Sequence, residues 1–316
     1  MAKYILKRIG YMIITLWVII TATFFLMNNI PGDPVMVKAQ KLPPAMQQIM
    51  RQQYGLDKPM GTRYLIYLRN LTKGQLGDSF ITPGYNVQEI IGDKFPNSAR
   101  LGVQAVAVGL VAGIALGIVA AFNRNTKVDY VVILLAIIGV SIPSFVLAAL
   151  LQKGLGGSFG LPIAGWYNTG EALTGFKFTI LPTIALCFSS IATYARYMRT
   201  SVLDVVGQDY IITAEAKGVS RIAIAWKHVI RNAILPIITI LGPQIAAVIT
   251  GSIIIERIFS VPGTGTSMID AIMTNDYNII MGLTIFYSAL YIVSLLIVDI
   301  MYSLIDPRIR LTGEKR

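Results

Sequence analysis

Apolar residues gather into six long runs that are nearly free of charge: Ile9–Met27, Leu101–Phe122, Val128–Leu151, Thr179–Ala195, Ala233–Ile255 and Ile279–Leu304. About 20 such residues are needed for a helix to cross the hydrocarbon core of a bilayer. The pattern predicts six transmembrane helices, the fourth one short. Pro143, Pro182, Pro236 and Pro243 fall in or at the start of these spans. A helix bundle tolerates such prolines and is commonly kinked by them. Lys3, Lys7 and Arg8 precede the first run, as in a signal peptide. The run is longer than the about 7–15 residues of a signal core and no small-x-small cleavage site follows, so it reads as a retained helix.

Two polar stretches lie between the spans. The chain divides into residues 1–28, a tail and first helix; residues 29–100, a loop domain; and residues 101–316, a core of five further helices with a second loop at 196–232. The first loop is rich in proline and glycine, with short helices expected over Ala45–Tyr54 and Thr62–Leu71. The second contains no proline and reads as helix, break at Gly218, helix.

Of 316 residues, 54% are hydrophobic and 14% charged, which excludes an ordinary soluble enzyme and a disordered chain. The formal net charge is +11. Either nucleic-acid binding or membrane topology explains such an excess, and its positions favour topology. With the N-terminus in the cytoplasm, fifteen lysines and arginines fall in the inside segments and three in the short outside ones. Both termini are therefore expected inside, and the 29–100 loop outside. One cysteine, Cys187, and one histidine, His228, exclude a disulfide framework and histidine-rich metal sites.

The 196–232 loop carries the sharpest signal. Asp209, Tyr210, Ile211, Ile212, Thr213, Ala214, Glu215, Ala216 and Lys217 form a short helix that Gly218 terminates. Such a helix suits docking on a partner protein, and equally an amphipathic helix resting on the membrane surface. Within the second span, Ala105, Gly109, Gly113, Gly117 and Ala121 recur every four residues, a stripe over which another helix packs closely. Gln244, Thr250 and Ser252 on the fifth span are candidates to line a solute pathway, or to bond neighbouring helices, and Glu256 at its outer end to face the pathway mouth or to pair with Arg257. Asp299, near the end of the sixth span, reads as a partner in an interfacial ion pair.

These residues resemble a known family. Asp209–Gly218, followed by Leu235-Pro236, resembles the EAA loop of bacterial ABC importer permeases, in the form found in the peptide-importer branch. Ile212 stands where the general loop has its leading glutamate, which implies an apolar contact there. Further matching motifs are Ile30–Pro34, Tyr54–Pro59, Gly74–Phe80, Phe95–Ser98, Ser141–Phe145, Phe259–Gly265 and Leu304–Arg310, in order along almost the whole chain. The stretch from Leu150 to Phe178 matches least.

The resemblance implies an all-α, polytopic permease subunit in the bacterial inner membrane, importing oligopeptides by alternating access. Dipeptides or nickel complexes are the alternative cargoes. It implies a second, related permease, two ABC ATPase subunits and an extracytoplasmic solute-binding protein as partners. No G-x-x-x-x-G-K-[ST] loop occurs, so ATP and Mg are expected on the partner ATPases and no cofactor in this chain. A stand-alone secondary transporter or channel would favour coupling charges near midplane or an internal repeat, and neither is evident. An intramembrane enzyme would need a nucleophile–base pair or a metal constellation within the spans.

Overall fold

A computed structural model describes residues 2–30, 43–53, 55–82, 84–167 and 175–305. The Ile30–Pro34 and Leu304–Arg310 motifs, and Tyr54, lie wholly or partly outside these residues. The described chain is helical, with one isolated bridge between Asp78 and Asn86. In chain order the helices are α1 (Ala2–Asn29), α2 (Pro44–Gln53), α3 (Met60–Thr72) and α4 (Val87–Phe122). Then follow α5 (Lys127–Ser141), α6 (Ser144–Leu155), α7 (Phe176–Val206) and α8 (Asp209–Ala216). The last are α9 (Arg221–Ile224), a π-helical turn (Ala225–Ile230), α10 (Arg231–Ala233), α11 (Leu235–Ile258), α12 (Thr264–Thr274) and α13 (Tyr277–Ile305).

Among the described residues four helices are long and apolar enough to cross a membrane unaided, and the number is six where each of two bent helix pairs is taken as one span. The all-helical, polytopic build expected from the hydropathy pattern is therefore present, with three departures in detail. The run Val128–Leu151 is not one straight span. Helices α5 and α6 meet at 106°, because Pro143 forces Ile142 out of helical geometry to an extended φ of −87° and ψ of 120°. At 1.5 Å per residue the two pieces are only about 22 and 18 Å long, each short of a bilayer core of about 30 Å. The second departure is at the loop–span boundary. Helix α4 begins at Val87, inside the expected 29–100 loop. Asn86 starts it by accepting the backbone N–H of Glu89 at 2.9 Å, as an N-cap does. Third, α7 does not end at Ala195. It continues to Val206, so the first eleven residues of the expected 196–232 loop are helix.

The chain divides into two compact units, Met1–Ser98 with Pro262–Val293, and Ala99–Val261 with Ser294–Arg316. In the first unit, aromatic rings join the end of α1 to α3: Phe24 stands 5.3 Å from Tyr64 and 5.4 Å from Tyr67, centroid to centroid. Thr21 and Tyr64 share a 2.6 Å hydroxyl bond. Along the apolar run of α1, Ile13, Trp17 and Leu26 are exposed, as side chains that face lipid must be.

The irregular segment 77–82 of this unit is held by Asp276. Its buried carboxylate accepts the Ser79 hydroxyl and, at 3.1 Å, the Phe80 N–H. Ser79 Oγ in turn accepts the N–H groups of Ile81 and Thr82. A second buried knot joins α4 to the start of α12. Thr264 N–H donates to Ser98 Oγ at 2.9 Å, and Tyr287 OH donates to Thr264 Oγ1 at 3.0 Å.

In the second unit α7 is the central post. Helices α5, α6 and α11 pack around it. One apolar cluster joins Leu181, Ala185 and Cys187 of α7 to Val248, Ile255 and Phe259. A second gathers around the far end of α7 and carries the loop.

Candidate functional site

Helix α7 stops at Gly207, Gln208 turns in extended geometry, and α8 begins at Asp209. Ile211 and Ala214, three positions apart, share one face of α8 and are buried. They join a cluster with Tyr194, Met198 and Val202 of α7 and with Val229, Ala233 and Ile237. The three α7 residues recur every four positions and so form one stripe. The opposite side of α8 is open. Asp209, Tyr210, Ile212, Thr213, Glu215 and Ala216 are exposed, as is Lys217 after it, and Ile212 leaves 59% of its surface uncovered. Tyr210 OH accepts Asn232 Nδ2 at 3.1 Å, which ties the rim of α8 to α10.

Gly218 ends α8 in a Schellman motif. Its N–H reaches Glu215 O at 2.9 Å and that of Val219 reaches Ala214 O at 3.2 Å. Gly218 has φ +78°, yet a Cβ there would meet nothing within 4 Å. The requirement for glycine is backbone chirality alone, not space. The segment beyond, 221–233, is one helical run with a π turn in the middle, and it exposes Ile222 and Trp226. These two were not singled out from sequence, although their i, i+4 spacing in a polar loop was a legible sign of a second displayed face.

The glycine stripe lies against α7. A Cβ on Gly113 would come within 2.6 Å of Tyr194 Cβ and 2.9 Å of Ile191 O. On Gly117 it would come within 2.6 Å of both Ala195 O and Met198 Cβ. Gly109 is looser, at 3.1 Å from Ser190 Cβ.

Of the pathway candidates, Gln244 accepts the Ser190 hydroxyl through Oε1 at 3.2 Å. Ser252 and Glu256 are buried and in this conformation leave almost no surface uncovered. Their positions on an apolar helix showed polarity but not which way they face. The Thr250 side chain lies outside the described residues. Among the described residues no cluster of three or more His, Cys, Asp or Glu side chains could hold a metal.

One polar feature was missed. Asp129, at 1% exposure, takes a two-pronged bond from Arg199 of α7: Nε to Oδ1 at 2.5 Å and a terminal nitrogen to Oδ2 at 2.8 Å. It also accepts the Asn125 N–H at 3.0 Å. Both residues looked like ordinary topology charges, and no spacing rule links positions 70 apart.

A helix that continues past the apolar span and seats a short helix at its end, among several candidate membrane spans, is the build of a polytopic membrane protein. Residues 113–311 match the binding-protein-dependent transport system inner membrane component family, and residues 1–102 match the N-terminal segment of the same systems. The chain is 40% identical over 312 residues to the dipeptide transport system permease protein DppB of Lactococcus lactis, covering 98% of this chain and 100% of that one. It is 40% identical over 311 residues to the oligopeptide transport system permease protein OppB of Escherichia coli K12, at the same coverage. A crystal structure of an amino acid ABC transporter with histidines shares the fold, with a TM-score of 0.51 and 19% identity over 70% of this chain and 95% of that one. The chain belongs to the family of inner membrane components of binding-protein-dependent transport systems, and is a multi-pass permease subunit of an ABC importer.

Proposed function

We propose that this permease imports oligopeptides by alternating access, and that α8 with Gly218 is the element through which ATPase subunits drive it. One observation carries the reading: α8 has Ile211 and Ala214 sunk in the cluster at the end of α7, while Ile212, Glu215 and Lys217 face outward. A helix so seated passes a push on its open face to α7 as a rigid-body shift. The exposed Ile212 fits an apolar socket rather than an ionic one. The proposed assembly holds a second, related permease, two ABC ATPases that bind ATP and Mg, and an extracytoplasmic solute-binding protein. The 196–232 loop and both termini face the cytoplasm, as the distribution of lysine and arginine supports.

Dipeptides are the second reading of the cargo, favoured by the equal 40% identity to the dipeptide permease of Lactococcus lactis. The test is uptake of labelled alanine di- to tetrapeptides by proteoliposomes holding the complete transporter. A disabled phosphate loop in both ATPases abolishes uptake, and the preferred peptide length names the cargo. Uptake by this chain alone, driven by an ion gradient, overturns the reading.

A further inference from the structure

We propose that Asp129 and Arg199 are positioning residues for transport: their ion pair makes α5 and α7 one lever, so that motion of α8 reaches the membrane span rather than flexing the end of α7. The proposal rests on α8 being the driven element.

Helix α5 runs antiparallel along α7 through three successive ties. A Cβ on Gly139 would lie 2.7 Å from Ala192 Cβ, Val132 clusters with Ala195, and Asp129 grips Arg199. The first two are apolar and close, a fit that allows small sliding. The third is directional. A guanidinium fork on a carboxylate fixes both distance and orientation, which a single-point lysine contact does not. Asp129 is itself held. It sits in the first turn of α5, where the helix dipole favours an anion, and it accepts the Asn125 N–H. The carboxylate is thus fixed before Arg199 reaches it.

The position on α7 gives the pair its use. Met198 faces the cluster that seats α8, and Arg199, the next residue, points about 100° away around the helix to α5. Load from α8 enters α7 at Met198 and Val202, and the pair bears on the same turn. Seven residues remain before α7 ends at Val206. Without the pair, this end of α7 keeps its apolar seat but loses the tie that stops it rotating about its own axis.

The test uses the complete transporter in proteoliposomes, with uptake of alanine peptides and ATP hydrolysis measured together and normalised to assembled complex. D129N and R199K are compared with G218P, which removes the turn that ends α8. The expected result is that R199K assembles at the wild-type level and hydrolyses ATP, while uptake per ATP falls roughly fivefold or more, the low end of ordinary coupling between sites. D129N falls further. Wild-type uptake per ATP in R199K and D129N, with G218P uncoupled, overturns the role of the pair and leaves the loop reading standing. Loss of assembly in D129N with unchanged uptake per ATP in R199K also overturns it, because the pair is then an element of folding alone. Normal uptake per ATP in all three variants overturns the loop reading itself.

Discussion

Segment 77–82 of the first unit and helix α8 of the second are fastened by opposite chemistry. In the first, segment 77–82 is fastened by polar atoms: the Asp276 carboxylate takes the Ser79 hydroxyl and the Phe80 N–H, and Ser79 Oγ takes two more N–H groups. In the second, α8 is fastened by Ile211 and Ala214 in an apolar cluster, and α4 by glycines laid against α7. Hydrogen bonds to a charged group are directional and hold one geometry. Apolar contact is non-directional and keeps most of its energy through a small slide. The polar fastening therefore suits a part that must keep its shape, and the apolar seat suits a part that must shift while staying attached.

The largest expected effect breaks the apolar side at its tightest point. Gly117→Leu places a side chain where even a Cβ meets the Ala195 carbonyl and Met198 at 2.6 Å, and backbone cannot yield as a side-chain tip does. Overpacking of this kind costs about 3 kcal/mol. Thermal unfolding in detergent should show a clear drop for this variant, with less for Gly109→Ala, whose nearest neighbour stands at 3.1 Å. Equal melting of the two would mean that the stripe is not a tight interface.

Next comes the polar fastening. Asp276→Ala leaves the buried Phe80 N–H without its acceptor, for a cost of about 2–3 kcal/mol. Asp276→Asn retains one acceptor oxygen and should lose about half as much. The measurement is protease cleavage within 77–82 in the detergent-solubilised protein, faster in Ala than in Asn. Indifference of cleavage to both variants would remove the contrast between the units.

How far this contrast was legible before the structure depends on what trace each contact leaves in a single sequence. The spans were legible because the bilayer demands about 20 apolar residues in a row. Gly218 was legible because a left-handed backbone position selects glycine. The end of α7 was hidden: Arg196, Arg199 and Asp204 interrupt the apolar run, while the helical repeat Tyr194, Met198, Val202 continues beneath them. The start of α4 was written as Asn86-x-x-Glu89, a capping pattern overshadowed by the prolines around it. Pro143 announced a kink, but its 106° depends on how α6 packs against α7 and α11. The Asp276 and Asp129 contacts left no local trace, because each joins residues far apart in the chain.

A third comparison separates the two faces of α8. Ile211→Ala removes buried methyl and methylene groups at a cost of about 2 kcal/mol, enough to loosen a helix of eight residues. Ile212→Ala, on the open face, should change stability by less than about 0.5 kcal/mol. Hydrogen exchange over 209–217 should rise in the first variant and stay constant in the second. Both should lower peptide uptake, the first by unseating α8 and the second by weakening the contact proposed with the ATPase subunits. Full uptake by Ile212→Ala would show that the exposed isoleucine makes no driving contact.

The smallest difference between paired variants, Ala against Asn, is the most diagnostic, because it separates shape from space at Gly218. Nothing lies within 4 Å of a Cβ there, so Gly218→Ala pays only for its left-handed φ of +78°, about 1 kcal/mol. Asn enters that region more readily than Ala, so Gly218→Asn should cost less although its side chain is larger. If steric room controlled the turn, the order would reverse. Uptake should therefore fall, and exchange over 209–219 rise, in the order wild type, Asn, Ala. Gly218→Pro should show the lowest uptake and the fastest exchange, since its ring cannot take the left-handed φ and it loses the N–H that reaches Glu215 O at 2.9 Å. That ranking would show that the handedness of the backbone turn, and not the room around it, sets where α8 ends.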